Sequence, residues 1–179
     1  MTDQVVESHP LDPFLPEGAR ILMLGSFPPA RKRWSMDFFY PNWINDMWRI
    51  TGEIFYNDKE HFVLQDGEGK KHKAFDKERI AAFCAEKGIA LYDTAVKVIR
   101  LKDNASDKFL EVVEFTDFKA ILKRIPECRA IITTGQKATD IIVETFGCKE
   151  PAVGEMSEIV TYEGRKLDFW RMPSSSRAY

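Results

Sequence analysis

The sequence predicts an α/β fold in which helices cover both faces of a central parallel sheet. Short, continuous apolar runs at 20–24, 89–92 and 130–133 have the length and composition of buried strands. Segments with helical spacing of apolar residues separate these runs, and strands that alternate with helices form parallel sheets. The 179 residues are enough for one domain with one core, and we expect a single domain over 1–179.

Prolines mark two irregular segments near the start of the chain. Residues 1–19 carry three prolines and are expected to form an extended arm that lies over the domain. The strand at 20–24 runs into Gly25, Ser26 and a pair of prolines, which lack the N–H groups that a helix needs. We therefore predict an irregular loop over 25–41, at the carboxyl end of a strand, where α/β proteins bind ligands.

The first helix is predicted from a capping residue and the spacing of apolar residues. Asn42 is a residue type that caps helices. Four apolar residues follow it at intervals of three or four: Trp43, Met47, Ile50 and Ile54. The next segment, 56–75, is polar and basic, and its Asp66-Gly67-Glu68-Gly69 is a turn signal, so we expect an inserted hairpin there.

The rest of the sequence continues the alternation of strands and helices. Helices are predicted at 76–87, 112–124 and 136–146, and a closing hairpin has arms at 158–162 and 166–172. In the first of these helices Ile80, Phe83 and Cys84 are expected to face inward, and Gly88 ends it. Thr116 is a candidate cap for the second.

The composition is that of a folded protein with a small net charge. Hydrophobic residues make up 44% and charged residues 30% of the sequence, and no apolar run is long enough to span a bilayer. The 26 Lys and Arg residues nearly balance the 28 Asp and Glu residues, giving a net charge of −2. Positive charge is therefore local. The N-terminus has no signal-peptide pattern, and we expect a cytoplasmic monomer with no membrane partner.

Cysteine and histidine show no pattern of a metal site or a disulfide framework. Cys84, Cys128 and Cys148 are odd in number and form no Cys-x-x-Cys pair. The three histidines are scattered, and their spacing indicates no His–carboxylate–nucleophile set. The sequence therefore predicts no metal site.

Polar and aromatic side chains follow the predicted strands. Because the carboxyl ends of parallel strands point to one edge, these loops are expected to meet there. They contain Ser26, Phe27, Tyr40, Asn45, Asp93, Thr94, Thr134, Ser174, Ser175, Ser176 and Arg177. Small hydroxyl residues beside a rigid proline are suited to holding a phosphodiester, and the aromatic residues are suited to a pocket for a flat ring.

Short motifs also occur in the order typical of one enzyme superfamily. They are Gly25-Ser26-Phe27-Pro28-Pro29, Phe39-Tyr40, Asn45-Asp46-Met47-Trp48, Thr134-Gly135 and Met172-Pro173-Ser174-Ser175-Ser176. In this order they resemble the motifs of the uracil-DNA glycosylase superfamily, most closely those of its hypoxanthine-DNA (deoxyinosine) glycosylase branch. The resemblance spans 20–179 and is interrupted by 56–75.

The resemblance implies a three-layer sandwich around a four-stranded parallel sheet. It also implies excision of a deaminated base from DNA by hydrolysis of the N-glycosidic bond, without a metal or other cofactor. The catalytic amide would be Asn45, and the base pocket would be formed by Gly25, Ser26, Phe27, Pro28, Tyr40 and Thr134. DNA would be held by Pro173, Ser174, Ser175, Ser176 and Arg177, together with Arg31, Lys32 and Arg33.

Departures from the family pattern leave two other hypotheses open. Phe27 stands where the best-studied branches have Asp or Asn, and Thr134 stands where the family has Asn. A glycosylase-fold protein that binds DNA or a nucleobase with weak or no catalysis is one alternative. The other is a small-molecule hydrolase that uses Asp46 or Asp93 as a base.

Overall fold

A five-stranded sheet forms the centre of the computed structural model, which describes residues 4–103 and 106–177. In spatial order its strands are β5 (Ile89–Asp93), β2 (Ile21–Gly25), β8 (Ala130–Thr134), β10 (Lys166–Met172) and β9 (Met156–Val160). The first four run parallel, and β9 is antiparallel to β10. Four parallel strands were expected, but the sheet has five; the additional strand, β9, is the first arm of the closing hairpin and lies at the edge.

Two pairs of helices accompany this sheet in the described part of the chain. They are α1 (Met47–Tyr56) with α2 (Lys77–Lys87), and α3 (Phe118–Arg124) with α4 (Gln136–Phe146). The sheet order and the right-handed rule for crossovers place the two pairs on opposite faces. Ring contacts agree: Phe55 lies 5.0 Å from Phe83 between α1 and α2, and Phe118 lies 6.0 Å from Phe146 between α3 and α4.

Smaller antiparallel sheets attach the N-terminal arm and form the inserted hairpin. Strand β6 (Ala95–Arg100) pairs on one side with β1 (Val6–Ser8) and on the other with β7 (Leu110–Phe115). Strands β3 (Val63–Gln65) and β4 (Lys71–Phe75) form the hairpin within 56–75. Residues 1–3 of the predicted arm lie outside the described residues.

The prediction of one helix over 112–124 is wrong. Its first part belongs to β7, where pairing with β6 overrides the helical spacing of the apolar residues. Thr116 is not the cap of α3, because its hydroxyl donates to the carbonyl of Asp93 at 2.6 Å. Asp117 caps the helix by accepting the Ala120 N–H at 3.0 Å.

The predicted start and inner face of α1 are also wrong. Asn42 does not cap the helix, because its side chain accepts the Ile44 N–H at 3.2 Å and the helix begins only at Met47. Ile50 and Ile54 are 48% and 71% exposed. The residues that α1 buries are Met47, Trp48 and Gly52.

Helices α2 and α4 follow the prediction closely. Asp76 caps α2 by accepting the Arg79 N–H at 3.1 Å, and Gly88 ends it with a φ of 72°, which favours glycine. Ile80, Phe83 and Cys84 are buried, as expected. Helix α4 starts directly after Gly135, which places the Thr134-Gly135 motif at a strand–helix junction.

Candidate active site

A pocket of about 430 Å³ lies at the carboxyl ends of the parallel strands. Its volume is within the range of about 300–1,000 Å³ that is usual for small-molecule sites. The predicted site residues that line it are Gly25, Ser26, Phe27, Pro28, Tyr40, Asn45, Thr134, Ser174, Ser175 and Ser176. Segments that are distant in sequence therefore meet at one place, as the strand topology requires.

The end of β2 forms the floor of this pocket. A Cβ atom placed on Gly25 would lie 2.7 Å from Oδ1 of Asp93, 3.7 Å from the hydroxyl of Tyr40 and 3.8 Å from the hydroxyl of Thr134. Three side-chain oxygens therefore surround one point beside Gly25. A larger residue than glycine would fill that point, so the missing side chain is what leaves the floor open.

Tyr40 reaches this floor from a strained backbone. Its φ of 52° lies in the left-handed region, which a bulky residue rarely adopts. The Tyr40 hydroxyl lies 2.9 Å from the Thr134 hydroxyl, and its ring meets Trp48 edge to face at 5.9 Å. Burial raises the pKa of Tyr40 far above its usual value, more than the Thr134 hydrogen bond lowers it, so the phenol stays protonated.

Asn45 lies just before α1 with a fixed amide. Its Oδ1 accepts the Met47 N–H at 2.9 Å, which identifies Nδ2 as the donating end of the side chain. The backbone of Asn45 forms a bridge with Ser176, and the Asp46 N–H donates to the Ser175 carbonyl at 2.9 Å. The predicted catalytic amide is thus held against the loop after β10.

The loop after β10 has both satisfied and unsatisfied hydroxyl groups. The Ser174 hydroxyl accepts the Ser176 N–H at 3.2 Å. The Ser175 hydroxyl is buried and has no hydrogen-bond partner among the described residues. An unpaired buried hydroxyl is costly, so one at the wall of a pocket favours a ligand or a small movement that would pair it.

Asp107 is a pocket residue that sequence reasoning missed. It lies between β6 and β7, a region where no strands were predicted, although both strands contain β-branched residues that favour sheets. Burial raises the pKa of the Asp107 carboxyl above its usual value, despite a hydrogen bond with Ser26, and the nearby Asp93 raises it further.

His9 was also missed, because no local spacing connects it to the pocket. Its Nε2 lies 2.7 Å from Oδ2 of Asp93, a partner 84 positions later in the chain. The arm that carries His9 also contributes Leu11 to the pocket wall. The only sequence signal available was the position of Asp93 at the end of a predicted strand.

Phe27 joins the pocket wall to a second apolar cluster. The residue is 8% exposed and packs with Ala95, Val98 and Leu110 of β6 and β7. Its side chain offers no polar atom to the pocket, so any side-chain hydrogen bond that a ligand makes there must come from another residue.

The predicted DNA-binding cations lie outside the pocket lining. Arg31 pairs with Asp37 at 2.5 Å, and Lys32 pairs with Asp103. Arg177 contacts Oδ2 of Asp46 at 3.0 Å. Pro173 is exposed, and the buried Nε atom of Arg33 has no partner among residues 4–103 and 106–177.

The assembled architecture matches a solved structure. The solution structure of a protein from Methanosarcina acetivorans, described as a "putative uracil DNA glycosylase", aligns with a TM-score of 0.59 at 21% identity. The alignment covers 96% of this chain and 86% of that chain. No family model and no curated protein matches the sequence.

The described residues offer neither a metal-binding cluster nor a membrane-spanning helix. No group of three or more His, Cys, Asp and Glu residues is arranged to hold a metal ion in this part of the chain. None of the helices described is long and apolar enough to cross a bilayer.

Burial raises the pKa of the Cys84 thiol to about 12, so this buried thiol is not a thiolate nucleophile at neutral pH.

Proposed function

We propose that this chain is a monofunctional DNA glycosylase that removes uracil or hypoxanthine from DNA in base-excision repair. The observation that carries the proposal is the meeting of the five sequence motifs at one pocket: the Gly25 loop, Tyr40, Asn45, Thr134 and the serines after β10. The shared fold of the Methanosarcina acetivorans protein supports it. The hypoxanthine branch is proposed on the motif resemblance.

The pocket suits a base that has been turned out of the double helix. A glycosylase must extrude its target base, and it recovers the cost through stacking and hydrogen bonds. Hydrolysis then adds hydroxide from water to the sugar C1′, breaks the bond from C1′ to the base nitrogen and leaves a proton on the base. Asn45 Nδ2 is the group we assign to hydrogen-bond the departing base, whose negative charge grows as the bond breaks.

The DNA backbone would contact the rim formed by the loop after β10. Ser174 is exposed at this rim, and Ser175 has the unpaired hydroxyl. Hydroxyl and backbone N–H groups contact phosphates without reading sequence. Arg31, Lys32 and Arg177 would add positive charge if their carboxylate partners yield to phosphate.

A glycosylase panel tests the proposal. Duplex and single-stranded oligonucleotides with uracil, hypoxanthine, xanthine or mismatched thymine are incubated with the protein, and alkali-labile abasic sites are measured. We expect release of uracil or hypoxanthine by the wild type, and a loss of about 10²–10³-fold in Asn45→Ala, the usual effect of removing one transition-state donor. Gln65→Ala, which removes an amide on the exposed hairpin, is the matched control. Lack of release from every substrate would refute the proposal.

A second function is favoured by the apolar side chain of Phe27. With no polar group at that position, the protein could bind DNA or a nucleobase while cutting slowly or not at all. Salt-sensitive DNA binding without base release would support this function, and absence of binding at low salt would exclude it.

The small-molecule hydrolase hypothesis has less support. Asp46 does not line the pocket and contacts Arg177 and Arg49, whereas Asp93 does line it. Hydrolysis of free nucleosides without DNA would be the result in its favour. A single domain over 1–179, a monomeric state and a cytoplasmic location stay proposals that accompany the glycosylase function.

A further inference from the structure

The hydrogen bonds of His9 determine which of its nitrogens carries the proton. The Leu11 N–H donates to Nδ1 at 3.1 Å, so Nδ1 presents a lone pair. Nε2 must then carry the hydrogen that it shares with Oδ2 of Asp93 at 2.7 Å. The side chain of His9 is only 2% exposed, and that of Asp93 is 11% exposed. The contact is therefore a buried donation from a neutral imidazole to a carboxylate.

The arm holds this imidazole rigidly in place. The His9 N–H donates to the Val96 carbonyl at 2.8 Å, directly after β1 pairs with β6. The imidazole ring lies 4.7 Å from the ring of Tyr92 and 5.3 Å from the ring of Phe27. These two ring contacts restrict rotation of the imidazole away from Asp93.

With one oxygen of Asp93 held by His9, the other is left at the pocket floor. That atom, Oδ1, is the one 2.7 Å from the Cβ position of Gly25. The Thr134 hydroxyl lies 3.4 Å from the carbonyl of Leu24, to which it can only donate. The Thr134 hydroxyl can make both of its hydrogen bonds at once if it donates to the Leu24 carbonyl and accepts from the Tyr40 hydroxyl. Asp93, Tyr40 and Thr134 therefore present lone pairs at this floor.

We propose that His9 is a positioning residue: by holding one oxygen of Asp93 it turns the other toward the pocket, where that oxygen accepts a hydrogen bond from a ring N–H of the extruded base and selects against bases without one. The inference rests on the proposed glycosylase function. Uracil presents such an N–H at N3 and hypoxanthine at N1. A base without that hydrogen would leave a buried acceptor unpaired and facing a ring-nitrogen lone pair, as in cytosine and adenine, or a methyl group, which proteins discriminate strongly.

Two substitutions separate the hydrogen bond of His9 from its packing. His9→Phe keeps a ring against Tyr92 and Phe27 but removes the donor, whereas His9→Gln keeps an N–H donor near the position of Nε2. His72→Gln is the matched control, because His72 lies 3.2 Å from Asp66 in a second His–Asp pair on the exposed hairpin. Circular dichroism during heating shows whether each variant is folded at the assay temperature.

The readout is single-turnover release of the preferred base, compared with the same base methylated at the ring nitrogen: 3-methyluracil for uracil, or 1-methylhypoxanthine for hypoxanthine. We expect the wild type to prefer the unmethylated base by at least about tenfold. His9→Phe should lower this preference severalfold, and His9→Gln should restore it. Asp93→Asn should lower the preference most, because the amide would turn its N–H₂ toward the base. A purely structural role of His9 would lower both rates equally and leave their ratio unchanged.

The outcomes distinguish this inference from the proposed function. No release by the wild type from any base refutes the glycosylase function and this inference with it. Release by the wild type with an unchanged base preference in folded His9→Phe overturns this inference alone. If His9→Phe is unfolded, the Asp93→Asn ratio decides, and an unchanged preference in that variant overturns the inference. The long-range ¹H–¹⁵N spectrum of the wild type decides independently, since a proton on Nδ1 of His9 would also overturn it.

Discussion

Gly25 shows how the absence of a side chain can create a site. A Cβ atom there would lie 2.7 Å from an oxygen of Asp93, closer than real contacts allow. Asp93 cannot easily retreat, because His9 holds its other oxygen. The glycine is needed here for space, since a neighbouring carboxylate occupies the position that a side chain would take.

Gly25→Ala is therefore expected to abolish most base release and to reduce stability. Moving Asp93 breaks its contact with His9, and overpacking of this kind usually costs about 1–3 kcal/mol. Glycosylase assays and urea unfolding measure the two effects. Gly67→Ala is the control, because a Cβ atom there has nothing within 4 Å. Equal activity in both variants would contradict the expectation.

Ionisation of the buried Asp107 carboxyl is expected to lower the free energy of unfolding. Burial raises the pKa of its carboxyl, with a further contribution from Asp93, while Ser26, Lys137 and Arg100 act in the opposite direction. A raised pKa in the folded state means that ionisation favours unfolding. The penalty is absent below the unfolded pKa, grows as the pH rises above it, and is complete above the folded pKa.

Asp107→Asn should accordingly raise the unfolding temperature at neutral pH, and the gain should disappear in acid below the ordinary Asp pKa. About 1 kcal/mol shifts the Tm of a chain this size by about 2–4 °C. Thermal unfolding across the pH range measures the effect, with Asp168→Asn on the exposed side of β10 as the control. A gain that persists in acid would show that the ionised carboxyl is not the cause. Glycosylase activity should fall in the same variant if the carboxyl serves the pocket.

Several elements were predictable because local signals and tertiary packing agree. Helix α2 has Asp76 at its start, Gly88 at its end and an apolar face between them, and all three signals indicate the same element. The buried strands of the sheet were predictable for the same reason. Where β7 lies, helical spacing competed with β-branched residues, and pairing with β6 decided the outcome.

Helix α1 illustrates the limit of periodicity as a guide to burial. Ile50 and Ile54 have helical spacing but lie 48% and 71% exposed. The buried side of α1 carries Met47, Trp48 and Gly52 instead. Sequence spacing shows that a helix has an apolar stripe, but the surrounding loops determine which side meets the core.

Substitutions on two helices should reveal this difference. Ile54→Lys on α1 is expected to change the free energy of unfolding by no more than about 0.5 kcal/mol, since surface substitutions usually have small effects. Ile80→Ala on α2 should cost about 2–5 kcal/mol, because Ile80 is fully buried and its removal leaves a cavity. Urea denaturation provides both values. A large loss from Ile54→Lys would show that this face is covered in solution.

At the scale of the whole molecule, the motifs that form the site could be predicted from the sequence, but the contacts between its side chains could not. Strand ends predicted where the loops would meet, because parallel strands share one direction. The contact of His9 with Asp93 depends on the path of the arm along β6, and Asp107 depends on the β6–β7 pair. These arrangements are set by tertiary contacts, which short motifs do not encode.

The near balance of charge makes DNA affinity depend on a few local cations. Arg31 and Lys32 lie in the loop over 25–41, and each is paired with a carboxylate. If each contacts a phosphate, Arg31→Gln and Lys32→Gln should weaken binding of every DNA sequence alike. Each should also reduce the slope of log affinity against log salt by about 1.

Fluorescence anisotropy over a series of salt concentrations measures this slope. Lys166→Gln is the matched control, because Lys166 begins β10 and so lies at the opposite end of the sheet from the pocket. An equal reduction in the control would indicate a general charge effect. If the slope of log affinity against log salt concentration is unchanged in all three variants, Arg31 and Lys32 do not contact DNA phosphates.

Both ends of the described chain take part in the same cavity. Leu11 on the arm and Ser176 after β10 line its walls, and His9 supports its floor. A bulky label attached to the arm near Leu11 or to the loop near Ser176 would therefore crowd the cavity directly. Immobilisation of an active sample is better planned through the β3–β4 hairpin, whose exposed tip lies outside the pocket lining.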